Sequence, residues 1–84
     1  MHNFKNIIIM ARLKIDEAIA QAMLNGKKMK KIEIAARLWP DSSNPTRRQN
    51  MANLCTGKTK QITTEMVAII CEMTGVDANF LLGA

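Results

Sequence analysis

Aromatic residues and histidines are scarce in this 84-residue chain. With two phenylalanines, one tryptophan and no tyrosine, the chain lacks the stacking platform on which single-stranded nucleic acid usually binds. The only histidine is His2, and there is no convincing nucleophile–base pair, glycine-rich phosphate loop or metal-ligand cluster. We therefore expect no enzymatic activity, no catalytic residues, no metal and no other cofactor.

Cysteines and apolar runs are also few. Cys55 and Cys71 lack a metal-type spacing, and secreted disulfide scaffolds of this size normally carry more cysteines, so we expect two reduced, buried thiols. The apolar run 7–10 is too short to span a membrane. With only Lys5 before it and no small-residue cleavage site after it, the run also makes a poor signal sequence. These features favour a cytoplasmic protein with no membrane partner.

Positive charge is concentrated in the middle of the chain. Nine basic and two acidic residues lie from Lys27 to Lys60, a net charge of +7, whereas the rest of the chain carries −2. A lysine-rich surface can serve solubility alone. A positive middle between mildly acidic ends is better explained by a polyanionic partner.

The apolar spacing predicts an all-α fold, a compact bundle of about five short helices in a single domain. The predicted helices cover residues 11–24, 30–39, about 45–56 and 64–74, with a short fifth helix after Asp77. Residues 1–10 are an N-terminal arm or the start of the first helix, and residues 11–84 form the domain. The predicted core faces are Ile15, Ala18, Ile19, Ala22 and Met23 on the first helix, Ile34, Ala35 and Leu38 on the second, and Met66, Ile69, Ile70 and Met73 on the fourth.

Helix-capping residues support these boundaries. Asn44 is expected to cap the third helix, with Pro45 at its first position and Gly57 at its exit. Thr63 and Asp77 are expected to cap the fourth and fifth helices.

The third helix has one narrow apolar side and a polar face without any acid. Met51, Leu54 and Cys55 lie at helical spacing and are expected to face the core. The other side carries arginines, amides and hydroxyls, which are the groups that hydrogen-bond to base edges in the major groove of DNA. Ordinary solvated faces usually mix Glu with Lys. The pattern therefore favours DNA over a plain surface helix.

The segments "IEIAARLW", "RRQNMANLCTGKTK" and "TTEMVAIICEMTGVDANFLL" together resemble the phage repressor/Cro-type (lambda-repressor-like) helix-turn-helix family, over residues 11–82. Ile34-Ala35 corresponds to the apolar-Ala pair of the first motif helix. Met51 and Leu54 correspond to the buried positions of the recognition helix. The family usually has a shorter turn with a small residue at its start. Here Trp39 takes that place and the turn, residues 40–45, is lengthened.

The resemblance implies a sequence-specific transcriptional regulator, such as a repressor, that binds double-stranded DNA as a homodimer on a pseudo-palindromic site. It implies that Arg48, Gln49 and Asn53 contact bases. Backbone or auxiliary contacts are implied for Lys30, Lys31, Arg47, Asn50, Thr56, Lys58 and Lys60. Phe80, Leu81 and Leu82 are candidates for the dimer surface. The alternative is a protein-interaction module, an antitoxin or adaptor, in which the apolar ends of the chain form the partner surface.

Overall fold

The protein is described here by a computed structural model that covers residues 7–8, 12–59 and 62–83. These residues form five helices, which confirms the all-α bundle. A pair of two-residue strands is antiparallel, with Ile7 opposite Thr63 and Ile8 opposite Ile62. The elements are β1 (Ile7–Ile8), α1 (Ile15–Leu24), α2 (Lys31–Leu38), α3 (Asn44–Thr56), β2 (Ile62–Thr63), α4 (Thr64–Thr74) and α5 (Ala78–Leu82).

One cluster of buried apolar side chains joins the five described helices. Its members are Leu13, Ile15, Ala18, Ile34, Ala35, Met51, Leu54, Ile62, Val67, Ile70, Val76 and Leu81. Two of these, Met51 and Leu54, come from α3. The predicted core positions of α2, Ile34 and Ala35, are confirmed, while Leu38 is half-buried against the cluster.

The first helix is shorter than predicted. It begins at Ile15 rather than residue 11, because Leu13 enters the core from a non-helical segment and the Lys14 N–H donates to the Leu81 carbonyl at 2.9 Å. Ile7 and Ile8 belong to β1, so they are not the start of this helix; the rest of residues 1–10 lies outside the described residues. The prediction of a buried Met23 is wrong. That side chain is 54% exposed because the buried face centres on Ile15, Ala18 and Ala22.

The buried face of α4 differs from the predicted stripe. Ile70 is buried as expected, but Val67 and Thr74 complete the face, while Met66, Ile69 and Met73 are half-buried. Helices α1, α2 and α5 all pack against α4, so its buried surface is broader than one stripe. The Thr74 hydroxyl donates to the Ile70 carbonyl at 2.7 Å, which satisfies this buried polar group.

The cap of α3 is displaced by one residue from the prediction. Ser43, not Asn44, is the N-cap, and its Oγ accepts the Thr46 N–H at 3.4 Å. Asn44 is already helical. Gly57 ends the helix with φ +83°, the left-handed conformation that glycine adopts without steric cost. Thr63 and Asp77 are the N-caps of α4 and α5, as predicted.

We predict that Leu54→Ala lowers the free energy of unfolding by about 2–5 kcal/mol, because Leu54 is fully buried. The matched control is Leu24→Ala. Leu24 is 80% exposed, so that change is expected within about 0.5 kcal/mol of zero. Urea denaturation of both variants measures the difference. Equal effects would contradict the orientation of α3 in the core.

Candidate nucleic-acid interface

Helix α3 is anchored to the core by one side only. Met51 is 3% exposed and Leu54 is fully buried, in the same cluster as Ile34 and Ala35 of α2. Cys55 is half-buried at the edge of this contact. Among the described residues, the opposite side of α3 is exposed at Arg48, Gln49, Ala52 and Thr56, and it is available to a partner there.

The polar face of α3 carries the predicted base-contact residues. Arg48 and Gln49 are exposed and Asn53 is half-buried; Asn50 is half-buried and Thr56 exposed at the sides. Gln49 Nε2 donates to Asn53 Oδ1 at 3.1 Å, one helical turn along. With the amides so oriented, the Gln49 carbonyl and the Asn53 amino group remain available as acceptor and donor.

Arg48 makes no ion pair with any residue that the structure describes. It stands at a cavity of about 170 Å³ between α2 and α3. The cavity is also lined by Lys31, Ile32, Ala35, Met51 and Ala52. An exposed guanidinium with no ion-pair partner among the described residues can turn towards a guanine edge or a phosphate without first breaking a salt bridge there.

Arg47 is engaged within the chain. Its Nε donates to the Trp39 carbonyl at 2.9 Å and its Nη2 to the Pro40 carbonyl at 2.8 Å. Its Nη1 donates to Asn44 Oδ1 at 3.0 Å. The predicted auxiliary contact of Arg47 with DNA would have to use the remaining N–H groups of the guanidinium.

Lys31, the first residue of α2, is paired with α1. Its Nζ lies 2.7 Å from Asp16 Oδ1. This hydrogen bond raises the pKa of Lys31, against a smaller opposing effect of burial. The lysine predicted to contact phosphate is thus neutralised by a carboxylate, and a phosphate would have to replace Asp16 at this position.

Lys30 and Lys58 are exposed, and neither forms an ion pair in the described part of the chain. The backbone N–H of Lys58 donates to the Asn53 carbonyl at 2.9 Å, directly after the turn at Gly57. This bond holds Lys58 at the end of α3. Lys60 lies outside the described residues.

Sequence reasoning missed the intramolecular partners of Lys31 and Arg47. Asp16 and Lys31 lie on different helices, and no local pattern links them. Asn44 lies three residues before Arg47, a spacing at which helical side chains meet, so this contact had a local signal. The contacts of Arg47 with the Trp39 and Pro40 carbonyls had no local sequence signal, because these contacts depend on the path of the turn.

The thiols and carboxylates form no candidate metal centre within the described residues: no group of three or more His, Cys, Asp or Glu side chains could hold an ion there. Cys55 and Cys71 are free, as expected, but half-buried rather than buried. Partial burial raises the pKa of both thiols, which keeps them protonated near neutral pH.

Comparison with family models, with curated proteins and with solved structures finds no match. None of the described helices is long and apolar enough to cross a membrane.

We predict that Lys31 titrates above 10.5, the ordinary lysine pKa, because its ammonium group donates to Asp16. Because the folded-state pKa of Lys31 is raised, its contribution to the free energy of unfolding is fully present below the unfolded-state pKa of Lys31. This contribution is lost as the pH rises through the higher folded-state pKa of Lys31. Because the pair is exposed, its contribution is at most about 1 kcal/mol. NMR titration of the Lys31 side chain should show a lower midpoint in Asp16→Asn. An unchanged midpoint would contradict the pairing.

Proposed function

We propose that the protein is a sequence-specific, double-stranded-DNA-binding transcriptional regulator of the phage or mobile-element type, most simply a repressor. In this proposal α2 and α3 form a helix-turn-helix with a lengthened turn, and α3 enters the major groove. The observation that carries the proposal is the polar face of α3, which presents exposed Arg48 and Gln49 and half-buried Asn53 and has no acid.

The chemistry of this face suits base edges. Arg48 can donate two hydrogen bonds to guanine O6 and N7. The free Gln49 carbonyl and Asn53 amino group offer the acceptor and donor that adenine N6 and N7 require. A carboxylate at any of these positions would be repelled by the phosphates on both sides of the groove, so its absence favours DNA over a merely solvated surface.

Phosphate contacts are assigned to the surrounding cations. Lys58 at the end of α3 and Lys30 before α2 are exposed and unpaired among the described residues, and Lys60 is retained from the sequence prediction. Lys31 contributes by exchanging Asp16 for phosphate. Asn50 and Thr56 flank the reading face as auxiliary contacts. The chain is proposed to act by binding, without catalysis or a cofactor, in the cytoplasm.

A two-fold homodimer on a pseudo-palindromic site is part of the proposal. Of the three candidate interface residues, Leu81 is fully buried in the core and is unavailable, which corrects that assignment. Phe80 is 38% exposed and Leu82 is half-buried, so they remain candidates. Two copies would place two α3 helices in successive major grooves about 34–36 Å apart.

A protein-interaction module, an antitoxin or adaptor, is the alternative function. The specific observation in its favour is the exposure of Met23 and Leu24 at the end of α1, 54% and 80% respectively. Such a module does not require an acid-free polar face on α3. That face is why DNA is the first proposal.

We predict that selection from a random duplex pool at near-physiological salt recovers a two-fold symmetric motif. Arg48→Ala and Gln49→Ala should each relax preference at particular base pairs by about 1–3 kcal/mol, because each removes a base contact. Lys58→Ala should weaken binding to all sequences alike, because it removes a phosphate contact. It should also reduce the salt slope, the slope of the logarithm of the binding constant against the logarithm of the salt concentration, by about 1 in magnitude.

Circular dichroism of each variant controls for folding. Enrichment of an asymmetric half-site would support sequence-specific DNA recognition and contradict the proposed two-fold homodimer. Binding without a motif would contradict sequence-specific recognition and leave only charge-driven association. No binding would favour the protein-interaction alternative.

We further predict that Asp16→Asn tightens binding to all duplexes and steepens the salt dependence, because it frees Lys31 for phosphate. The matched control is Glu17→Gln, which removes the neighbouring acid. Glu17 pairs with Arg12, 3.1 Å away, rather than with a residue of α2 or α3. Titration by fluorescence anisotropy at several salt concentrations measures both variants. Equal changes in the two would mean that Lys31 has no special part in phosphate binding.

A further inference from the structure

Helix α2 ends without the glycine that commonly satisfies a helix C-terminus. Its C-cap residue is Trp39, with φ −132° and ψ 70°, followed by Pro40. A left-handed C-terminal residue normally brings backbone N–H groups onto the last helical carbonyls. Trp39 does not adopt that conformation, and Pro40 has no N–H to donate. The Trp39 N–H donates to the Ala35 carbonyl at 2.8 Å, but the C-cap carbonyl of Trp39 and the Pro40 carbonyl after it receive no donor from a left-handed cap.

Arg47 of α3 donates to both of these carbonyls. The guanidinium binds the Trp39 and Pro40 carbonyls at 2.9 and 2.8 Å, and its positive charge lies at the C-terminal end of α2, where the helix dipole is negative. Its third bond, to Asn44 Oδ1 at 3.0 Å, reaches the first residue of α3. One rigid, planar group thus joins the end of one helix to the beginning of the next.

The other described hydrogen bonds of the turn are local. The Ser42 N–H donates to the Trp39 carbonyl at 3.2 Å, and Ser43 Oγ contacts Thr46 within the first turn of α3. Among the described side chains, Arg47 is the one that hydrogen-bonds to both ends of the turn. Beside the direct packing of α2 against α3, the Arg47 guanidinium therefore provides a side-chain connection across the turn.

We propose that Arg47 is a positioning residue, which fixes α3 relative to α2 and thereby places the base-contact side chains Arg48, Gln49 and Asn53. This inference rests on the proposed function, and it replaces the backbone or auxiliary DNA contact that the family resemblance implies for Arg47. Lysine cannot substitute, because its single ammonium group cannot span three acceptors in a fixed fork.

The test compares Arg47→Lys and Arg47→Gln on the recovered duplex and on its single-base variants, at several salt concentrations. Arg47→Lys keeps the charge and should still lose discrimination between correct and altered bases by about tenfold, the value of one well-placed base contact. The salt slope should be unchanged in both variants. The control is Arg37→Lys on α2, whose guanidinium contacts Glu72 of α4 rather than the turn; it should alter neither quantity.

Full discrimination in Arg47→Lys, with a salt slope reduced by about 1 in Arg47→Gln, would identify Arg47 as a phosphate ligand and overturn the inference.

A second measurement needs neither DNA nor a variant. In the free wild-type protein, NMR should show slow exchange of the Arg47 Nε–H, because it is bonded to the Trp39 carbonyl. Rapid exchange would overturn the inference even if DNA recognition stands. If exchange is slow but selection from the random pool yields no motif, the Arg47–Trp39 contact is supported and the proposed function is contradicted.

Discussion

The contact of Met51 and Leu54 with the core is the constraint on which the candidate site depends. These are the two buried residues of the thirteen in α3, and they hold the helix by one narrow side. A helix held in this way keeps its other side free for hydrogen-bonding residues, at little cost to the core. Among the described elements, α2 is the helix that α3 packs against most extensively, and the Arg47 hydrogen bonds add a second connection through the turn.

The basic middle of the chain is divided among different tasks by the fold. Lys31 and Arg37 are paired with carboxylates of α1 and α4, and Arg47 is bonded to the turn. Arg48 and Lys58 have no such partner in the described residues. Exposed ion pairs contribute little to stability, so a polyanion can replace their carboxylates at small cost. Some cations of the basic middle are therefore engaged within the folded chain and not immediately free for a partner. A polyanion could still recruit the lysine and arginine of the exposed ion pairs by displacing their carboxylates.

Local signals predicted the helices, and non-local contacts account for the errors at the start of α1 and at Met23. Gly57 and Thr63 mark helix ends through short-range hydrogen bonds, so the sequence was sufficient there. The exposure of Met23 depends on which neighbours cover α1, and no periodicity encodes that. The same distinction applies to the site. The polar face of α3 follows from helical spacing around Met51, whereas the partner of Lys31 comes from a distant segment and appears only in the folded chain.

We propose that α3 reads base edges in the major groove. Methylation interference on the duplex recovered from the random pool tests it most directly, because dimethyl sulfate modifies guanine N7 in the major groove and adenine N3 in the minor groove. If the claim is right, methylation of guanine N7 at motif positions blocks binding, and Arg48→Ala abolishes that interference at one guanine in each half-site. Interference confined to adenine N3, or absent at all motif positions, would contradict recognition by α3 in the major groove.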